Sequence, residues 1–170
     1  PQSSALETPR AHAIFRPHPG VAQGGAAMEH QNPDYRQDTE DLFTSAAFVM
    51  DLGIQPVAIR PGEVEARLVV QPRHLQQDGV IHAGVQATLA DHTAGAAAFS
   101  VVRKGQRVLS TSFTVHLLQT ASGEELRCKA RVLRAGRRLI VTESEVHAVS
   151  GGTPRLVSKT TVTLAVMEPR

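Results

Sequence analysis

Asp91 is the residue whose type and surroundings point most directly to chemistry. It lies in an alanine-rich segment without proline, residues 83–102, and the helical face around it carries only small residues: Gly84, Ala87, Thr88, Ala94, Gly95 and Ala98. A carboxylate on such a face is costly to bury unless it is ion-paired, hydrogen-bonded or used in a reaction. A structural pair with Arg or His is one reading. The other is catalysis, in which Asp91 activates water as a general base or attacks as a nucleophile.

A long helix must position this carboxylate. Its small side faces away from a second, apolar side made of Val85, Leu89, Ala96 and Phe99. Because no charged solvent face remains, we predict a helix that is buried nearly all round and wrapped by one curved antiparallel sheet. The helix begins at Ala83, where free backbone N–H groups and the helix dipole favour negative charge.

Turn signals and alternating patterns divide the rest of the folded part into a short helix and six strands. Thr39 or Asp38 is predicted to cap the short helix, which ends at Leu52-Gly53. The strands are predicted at residues 54–60, 63–71, 107–119, 124–134, 138–150 and 155–167. Glycine-containing turns predict that the last four are antiparallel neighbours, so the fold class is α+β.

Residues 1–38 are predicted to form a flexible tail, and residues 39–170 one folded domain. The tail contains five of the ten prolines and shows no helical or strand period. Met28 is a candidate start of translation.

Composition argues against several classes of protein. The 170 residues suit a single domain, and no apolar stretch is long enough for a membrane span. No secretion signal is visible, so a cytoplasmic location is expected. A net charge of +2, with five Phe, one Tyr and no Trp, argues against a nucleic-acid partner. The single cysteine, Cys128, excludes an internal disulfide, and its alternating context predicts a packed strand thiol.

A motif at the start of the long helix resembles a known family. The motif is Gln76-x-x-Gly79-x-x-His82-Ala83-Gly84, followed by Leu89-Ala90-Asp91. It resembles the active-site segment of hot-dog-fold acyl-CoA thioesterases, most closely the PaaI-like group, and the resemblance covers most of residues 40–168. It implies an α+β hot-dog fold, in which about six strands wrap one central helix and chains dimerise side by side, with dimers pairing into a homotetramer. The implied reaction is hydrolysis of acyl-CoA to free acid and CoA, without a cofactor.

The resemblance also implies a role for each matching residue. Asp91 would be the catalytic carboxylate, and Gln76 would hold the substrate carbonyl or the attacking water. The backbone N–H of Ala83 would form the oxyanion hole, while His82 would orient groups rather than act as the base. Ser110 would assist with its hydroxyl. Two residues on the small side of the helix would border the substrate, Gly84 and Thr88.

This chain departs from the family pattern at two positions. Many relatives have Gly-Gly where this chain has Ala83-Gly84, and a backbone N–H survives that change unless φ is positive. Many have Asn where this chain has Gln76, which keeps the amide and changes its reach. For Gln76 the alternative is an ordinary loop residue. For Ser110 it is an ordinary polar strand face, shared with Ser112, Thr114 and His116.

Helical geometry adds a constraint on how these groups meet. Asp91 follows His82 by nine residues, which is about 13.5 Å along the axis and about half a turn around it. One helix therefore cannot present both groups to one thioester carbon. Two antiparallel copies related by a two-fold axis can, so we predict a homodimer with cross-chain active sites.

A basic rim offers a place for the phosphates of CoA. Residues 103–138 carry nine Lys or Arg residues against two acids, and Arg137 and Arg138 lie at a predicted three-residue turn. Guanidinium groups suit phosphate binding. The same turn predicts ordinary cross-strand ion pairs as the alternative: Lys129 opposite Glu143, and Arg127 opposite Glu145.

Other functions fit the sequence less well. A ligand-sensing module that binds acyl-CoA without turnover is the main alternative, but residues 1–40 are too rich in Pro and Gly for the helical DNA-binding domain of such regulators. A hydratase would need a His and an acid at one substrate carbon. No metal site is predicted, because His82 and Asp91 point to opposite sides and no i, i+4 pair of histidines occurs. The acyl tunnel is expected to be lined by Phe43, Phe48, Val85 and Leu89.

Overall fold

The computed structural model describes residues 28–169. Two short helices and a two-stranded hairpin precede the long helix, and four further strands follow it. The bounds are α1 Tyr35–Ser45, α2 Ala47–Leu52, β1 Ile54–Arg60, β2 Glu63–Val69, α3 Ala83–Phe99, β3 Arg107–Leu117, β4 Glu125–Ala135, β5 Leu139–Ser150 and β6 Thr153–Met167. All six strands lie where the sequence predicts them, to within two residues at either end.

The first helix begins earlier than predicted and is divided in two. α1 starts at Tyr35, so Thr39, the predicted cap, is instead a buried residue inside the helix. Ala46 leaves helical geometry, with φ −87° and ψ 100°, and separates α1 from α2. The ordered chain also extends ahead of α1, because Asn32 is buried and donates to Asp38 Oδ2 at 2.7 Å. Ordered contacts thus begin ahead of residue 39; residues 1–27 lie outside the described part, and the division into a tail and a domain stays a prediction.

The six strands form one antiparallel sheet in the order β1-β2-β4-β5-β6-β3. β4, β5 and β6 are neighbours, as the turns between them predict. β3 is not a neighbour of β4, however: it crosses over and pairs with β6, at the opposite end of the sheet from β1. The prediction that β3 and β4 are antiparallel neighbours is therefore wrong, and the strand after α3 is an edge strand.

The β4–β5 hairpin has a different register from the one predicted. Ala135 pairs with Ile140, which leaves four residues in the turn, and a β-bulge between Val132 and Arg134 shifts the register again. The longer turn and the bulge place Lys129 opposite Glu145 and Arg131 opposite Glu143. The predicted pairs of Lys129 with Glu143 and Arg127 with Glu145 are therefore wrong. The outer face still carries ion pairs, including Lys159 with Glu143 at 3.2 Å.

α3 packs against the inner face of the sheet and is buried along most of its surface. Ala94 and Ala98, assigned from the sequence to the open small side, are in fact fully buried in the core. The partly open stripe is displaced from the predicted one, includes His92 and Phe99, and consists of Gly84, Ala87, Thr88, Asp91, His92, Gly95 and Phe99. Cys128 lies in the core beneath α3, and burial raises the pKa of its thiol to about 12, which confirms the packed strand thiol.

Most of the residues predicted to line an acyl tunnel pack in the core instead. Phe43, Val85 and Leu89 are buried core residues in the single chain. Phe48 is exposed and borders a cavity beside α3. Three of the four residues therefore pack in the core, and only Phe48 faces open space.

Gly123 is expected to tolerate no side chain. Its φ is +148°, and a Cβ would overlap the carbonyl oxygen of Val149 on the neighbouring strand. We expect Gly123→Ala to lower the free energy of unfolding by more than about 2 kcal/mol, measured by urea denaturation. Gly151→Ala is the matched control, because φ is +54° and no atom lies within 4 Å of the added Cβ. Equal losses in the two variants would contradict the steric account.

Candidate active site

Asp91 borders a cavity of about 240 Å³ between the first helices, α3 and β3. The cavity is lined by Phe48, Val49, Ala87, Thr88, Asp91, His92 and Phe113. The hydroxyl of Ser110 donates a hydrogen bond to Asp91 Oδ1 at 2.8 Å. Burial raises the pKa of the Asp91 carboxyl, and the bond from Ser110 opposes that rise. The carboxylate is therefore a stronger base than an ordinary aspartate, held in place by one hydroxyl.

A β-bulge in β3 aims Ser110 at Asp91. Ser110 pairs with Leu164, a core residue, whereas Ser112 pairs with Thr163 after a register shift at Thr111. Because paired residues share a face of the sheet, Ser110 points inward and Ser112 points outward. The sequence placed both on one face with Thr114 and His116, and that prediction is wrong because the bulge inserts one residue.

His92 adds an uncharged imidazole beside the carboxylate. Its ring packs edge-to-face against Phe43, with centroids 4.6 Å apart. Burial lowers the pKa of His92 to about 4, and its Nε2 is buried without a hydrogen-bond partner among the described residues. The neighbouring ring therefore contributes no positive charge that would stabilise ionised Asp91. The place of His92 next to Asp91 in the sequence was a visible signal of this contact.

The loop before α3 is tied at both ends by His74. The ring Nδ1 of this fully buried residue accepts the N–H of Gln71 at 3.0 Å, and its carbonyl accepts the N–H of His82 at 2.9 Å. Burial and the charge of Arg73 lower the pKa of His74, which favours the uncharged ring that can accept this bond. Sequence reasoning missed this positioning role.

Gln76 is oriented by the same loop. Its backbone N–H donates to the carbonyl of Val80 at 2.8 Å, and its side-chain Oε1 accepts the backbone N–H of Asp78 at 2.9 Å. The carbonyl end of the amide is thus occupied. The NH₂ end is left as a donor toward the adjoining cavity.

The N-terminus of α3 offers one free backbone donor. His82 is the N-cap, and its Nδ1 accepts the N–H of Gly84 at 2.8 Å. A Cβ on Gly84 would lie only 3.0 Å from that ring nitrogen, so glycine leaves room for the imidazole. The N–H of Gly84 is consequently used within the chain. The N–H of Ala83 has no hydrogen-bond partner among residues 28–169.

The site residues predicted from the sequence divide between two cavities. A second cavity, of about 530 Å³, is lined by Gln76, Gln77, Val80, Ile81, His82, Ala83, Gln86, Leu117, Leu118, Gln119, Thr120 and Ala121. Asp91, Ser110 and Thr88 belong to the first cavity or contact its wall, whereas Gln76, His82 and Ala83 belong to the second. One chain therefore does not bring the two groups together.

Arg137 and Arg138 line neither cavity. They are exposed at the β4–β5 turn. That hairpin is joined to the C-terminal end of α3 through Gly62, which accepts the N–H of Val132 and donates to the hydroxyl of Ser100. Neither arginine forms an ion pair within the described chain.

Residues 28–169 also bear on two other kinds of site. No group of three or more His, Cys, Asp or Glu residues there is arranged to hold a metal ion. Neither the length nor the apolarity of any helix in this part suffices to cross a membrane.

Comparison with known proteins places this geometry in a family. A family model described as Thioesterase superfamily matches residues 78–154. The crystal structure of a thioesterase family protein from Silicibacter pomeroyi shares 32% identity with a TM-score of 0.77, covering 79% of this chain and 98% of that one. The proofreading thioesterase EntH of Klebsiella pneumoniae is 30% identical over 103 residues, 61% of this chain and 75% of EntH.

A more distant neighbour supports the fold alone. Thioesterase HI1161 of Haemophilus influenzae has 23% identity and a TM-score of 0.69, covering 78% of this chain and 90% of that one. The hot-dog fold predicted from the sequence is confirmed, and the relatives favour hydrolysis over binding without turnover. The chain belongs to the thioesterase superfamily and is a thioester hydrolase.

Proposed function

We propose that this hydrolase is an acyl-CoA thioesterase whose active sites are each assembled from two chains of a homodimer. Asp91 of one chain supplies the general base or nucleophile, and the α3 N-terminus of the partner supplies the oxyanion hole. The observation that carries the proposal is the separation of Asp91 and the free Ala83 N–H into two cavities of one chain. The cavity at Asp91 lacks the backbone donor, and the cavity at Ala83 lacks the carboxylate.

Asp91 can drive either of two routes. As a general base it takes a proton from water while the water oxygen attacks the thioester carbon; the tetrahedral intermediate then expels the CoA thiolate, which recovers that proton. As a nucleophile its own oxygen attacks and expels the thiolate, and water then hydrolyses the resulting anhydride. Both routes require the ionised carboxylate, and the raised pKa of Asp91 strengthens it as base and nucleophile.

The start of α3 suits the charge that develops on the carbonyl oxygen. Ala83 N–H has no partner in the described part of the chain, and it stands at the positive end of a 17-residue helix. A single preorganised donor of this kind contributes roughly 10²–10³-fold to kcat in acyl transfer. The NH₂ of Gln76, oriented by Asp78, is a second donor to the same oxygen or to the attacking water.

The edge strand β3 supports side-by-side dimerisation. It runs for 11 residues and, among the described strands, pairs with β6 alone, so its other edge is unpaired within residues 28–169. Leu109, Phe113 and Leu117 on this strand are 62%, 50% and 53% exposed. A long, apolar, unprotected edge is a site of strand pairing. Two β3 edges related by a two-fold axis would join the sheets and bring the two small stripes of α3 together, and such dimers would pair into tetramers.

The β4–β5 turn, which carries Arg137 and Arg138, fits the same two-fold dimer. In an antiparallel pair of α3 helices, the C-terminal end of one lies beside the N-terminal end of the other. Arg137 and Arg138, near the C-terminal end, would then stand next to the partner's α3 N-terminus, available to the CoA phosphates. Gly84 and Thr88 would border the substrate where the two helices meet.

Asp91→Asn is expected to lower kcat by roughly 10²–10⁴-fold and to stabilise the protein near neutral pH. Asn still accepts the bond from Ser110 and removes a buried charge. Because the folded-state pKa of Asp91 is raised, the gain in free energy of unfolding is largest above that pKa and shrinks as pH falls toward 3.8, the ordinary value. Acyl-CoA hydrolysis with thiol detection and urea denaturation across pH measure both effects. Near-normal turnover, or destabilisation at neutral pH, would show that Asp91 is structural.

Ser110→Ala is expected to shift the pH dependence of hydrolysis. The hydroxyl lowers the pKa of Asp91, so its removal raises that pKa further and moves the acidic limb of the kcat profile to higher pH. Above the limb, the loss of rate should be below about tenfold. Ser112→Ala is the control, because Ser112 faces outward on the same strand and should leave the limb in place. A limb that stays or moves to lower pH contradicts the role of Ser110.

Gln76→Ala and Asp91→Ala chains are expected to complement each other. In a mixed dimer, one site receives the intact Gln76 of one chain and the intact Asp91 of the other, while the second site receives both defects. Random exchange makes half of the dimers mixed, so about a quarter of all sites regain wild-type composition. The measurement compares activity of the co-refolded chains with that of each variant alone.

The control for complementation is subunit exchange confirmed by mass spectrometry of differently tagged chains. Exchange without recovery would show that each chain houses its own site. If Gln76→Ala alone retains much activity, Ala83→Leu replaces it, since a bulky side chain at Ala83 obstructs the same half of the site.

A further inference from the structure

Gln86 is a buried amide that the chain itself does not use. It lies in the second turn of α3 and is 3% exposed, and it lines the same cavity as Gln76, His82 and Ala83. Its Oε1 is buried without a hydrogen-bond partner among the described residues. Since buried polar groups are nearly always hydrogen-bonded, we expect this amide to bind a hydrogen-bond partner from outside the chain.

Three other glutamines line this cavity, and each is already engaged. Gln76 accepts from the N–H of Asp78, and Gln77 donates to the Asp78 carboxylate. Gln119 donates to a backbone carbonyl and accepts from Arg155. Gln86 thus differs from these neighbours because it has a fully buried acceptor that no described residue satisfies.

We propose that Gln86 recognises an amide in the thiol arm of the substrate. Its Oε1 accepts the substrate N–H while its NH₂ donates to the substrate carbonyl, so two complementary hydrogen bonds form. This inference rests on the proposed function, because the pantetheine arm of acyl-CoA carries two secondary amides beyond the sulfur. The same arm occurs on phosphopantetheinylated carrier proteins, so the shared chemistry is the amide-bearing arm. Gln86 is a specificity-determining residue for it.

The spacing along α3 matches the arm. Gln86 follows Ala83 by three residues, about 4.5 Å along the helix axis. In the arm, the sulfur and two methylenes separate the thioester carbon from the first amide nitrogen, a span of roughly 5 Å at standard bond lengths. A thioester whose oxygen rests on the Ala83 N–H therefore brings its first amide level with Gln86. Val80, Ile81 and Leu117 supply apolar walls for the methylenes.

The test compares three thioesters of one short acyl group: acyl-CoA, acyl-N-acetylcysteamine and acyl-S-pentyl. The second retains the first amide of the arm, and the third replaces that amide with two methylenes at equal length. Gln86→Met conserves shape and removes both polar ends. We expect this variant to lose 10–100-fold in kcat/KM on the two amide-bearing thioesters and less than twofold on the S-pentyl thioester.

Stability provides a second readout. Because the amide has no partner in the chain, Gln86→Met is expected to keep or raise the melting temperature; a fall of several degrees would reveal an internal partner and overturn the proposal. Gln86→Ala must show the same discrimination between thioesters. Gln77→Met is the matched control, a glutamine on the same cavity whose amide is occupied by Asp78, and its kcat/KM should stay within twofold.

The outcomes separate this inference from the proposed function. If the wild-type protein hydrolyses none of the thioesters, the proposed function fails and this inference fails with it. If the wild type hydrolyses them and Gln86→Met loses the same factor on all three, or loses nothing, only the role of Gln86 is overturned. An acyl group on a phosphopantetheinylated carrier protein is a fourth substrate for the test. Equal losses there and on acyl-CoA support recognition of the shared amide, and a loss confined to one of them contradicts it.

Discussion

The rigidity of α3 constrains every other part of the site. The free N–H of Ala83 and the carboxylate of Asp91 stand eight residues apart on one helix, about 12 Å along its axis. No side-chain rotation can bring them to one carbon atom. The consequences are two separate cavities in one chain, an open stripe of small residues around Asp91, and an unpaired apolar edge on β3. Each of these features is incomplete alone, and the proposed two-fold pairing of chains would complete all three.

Several buried polar groups near the site lower the stability of the single chain and would serve the proposed catalysis. Asp91 is held among apolar side chains with only the Ser110 hydroxyl as a partner, so burial raises its pKa. His92 and Gln86 keep buried polar atoms without partners in the described residues. Folding alone would favour apolar residues at such positions. On α3, Gln86 and His92 border the two cavities, where a substrate or a second chain could supply the missing hydrogen bonds.

The sequence predicted the elements well because their signals are local. Alternation defined the strands, Pro-Gly and Gly-Gly pairs defined their turns, and the lack of charge on α3 predicted its burial. Features that depend on distant contacts were missed. Nothing near Arg107–Leu117 indicates that β3 crosses to β6, and the bulge at Thr111 that separates Ser110 from Ser112 becomes visible only in the pairing with β6. The same holds for the bulge at Val132 and the shifted charge pairs.

The cross-chain site is tested most directly by a crystal structure of the Asp91→Asn variant with an acyl-CoA bound. Slow turnover of this variant should preserve the thioester in the crystal. The account predicts a homodimer in which the thioester oxygen lies about 3 Å from the Ala83 nitrogen of one chain. The thioester carbon should face position 91 of the other chain. A thioester contacting Ala83 and position 91 of the same chain, or one bound to a monomer, would contradict the account.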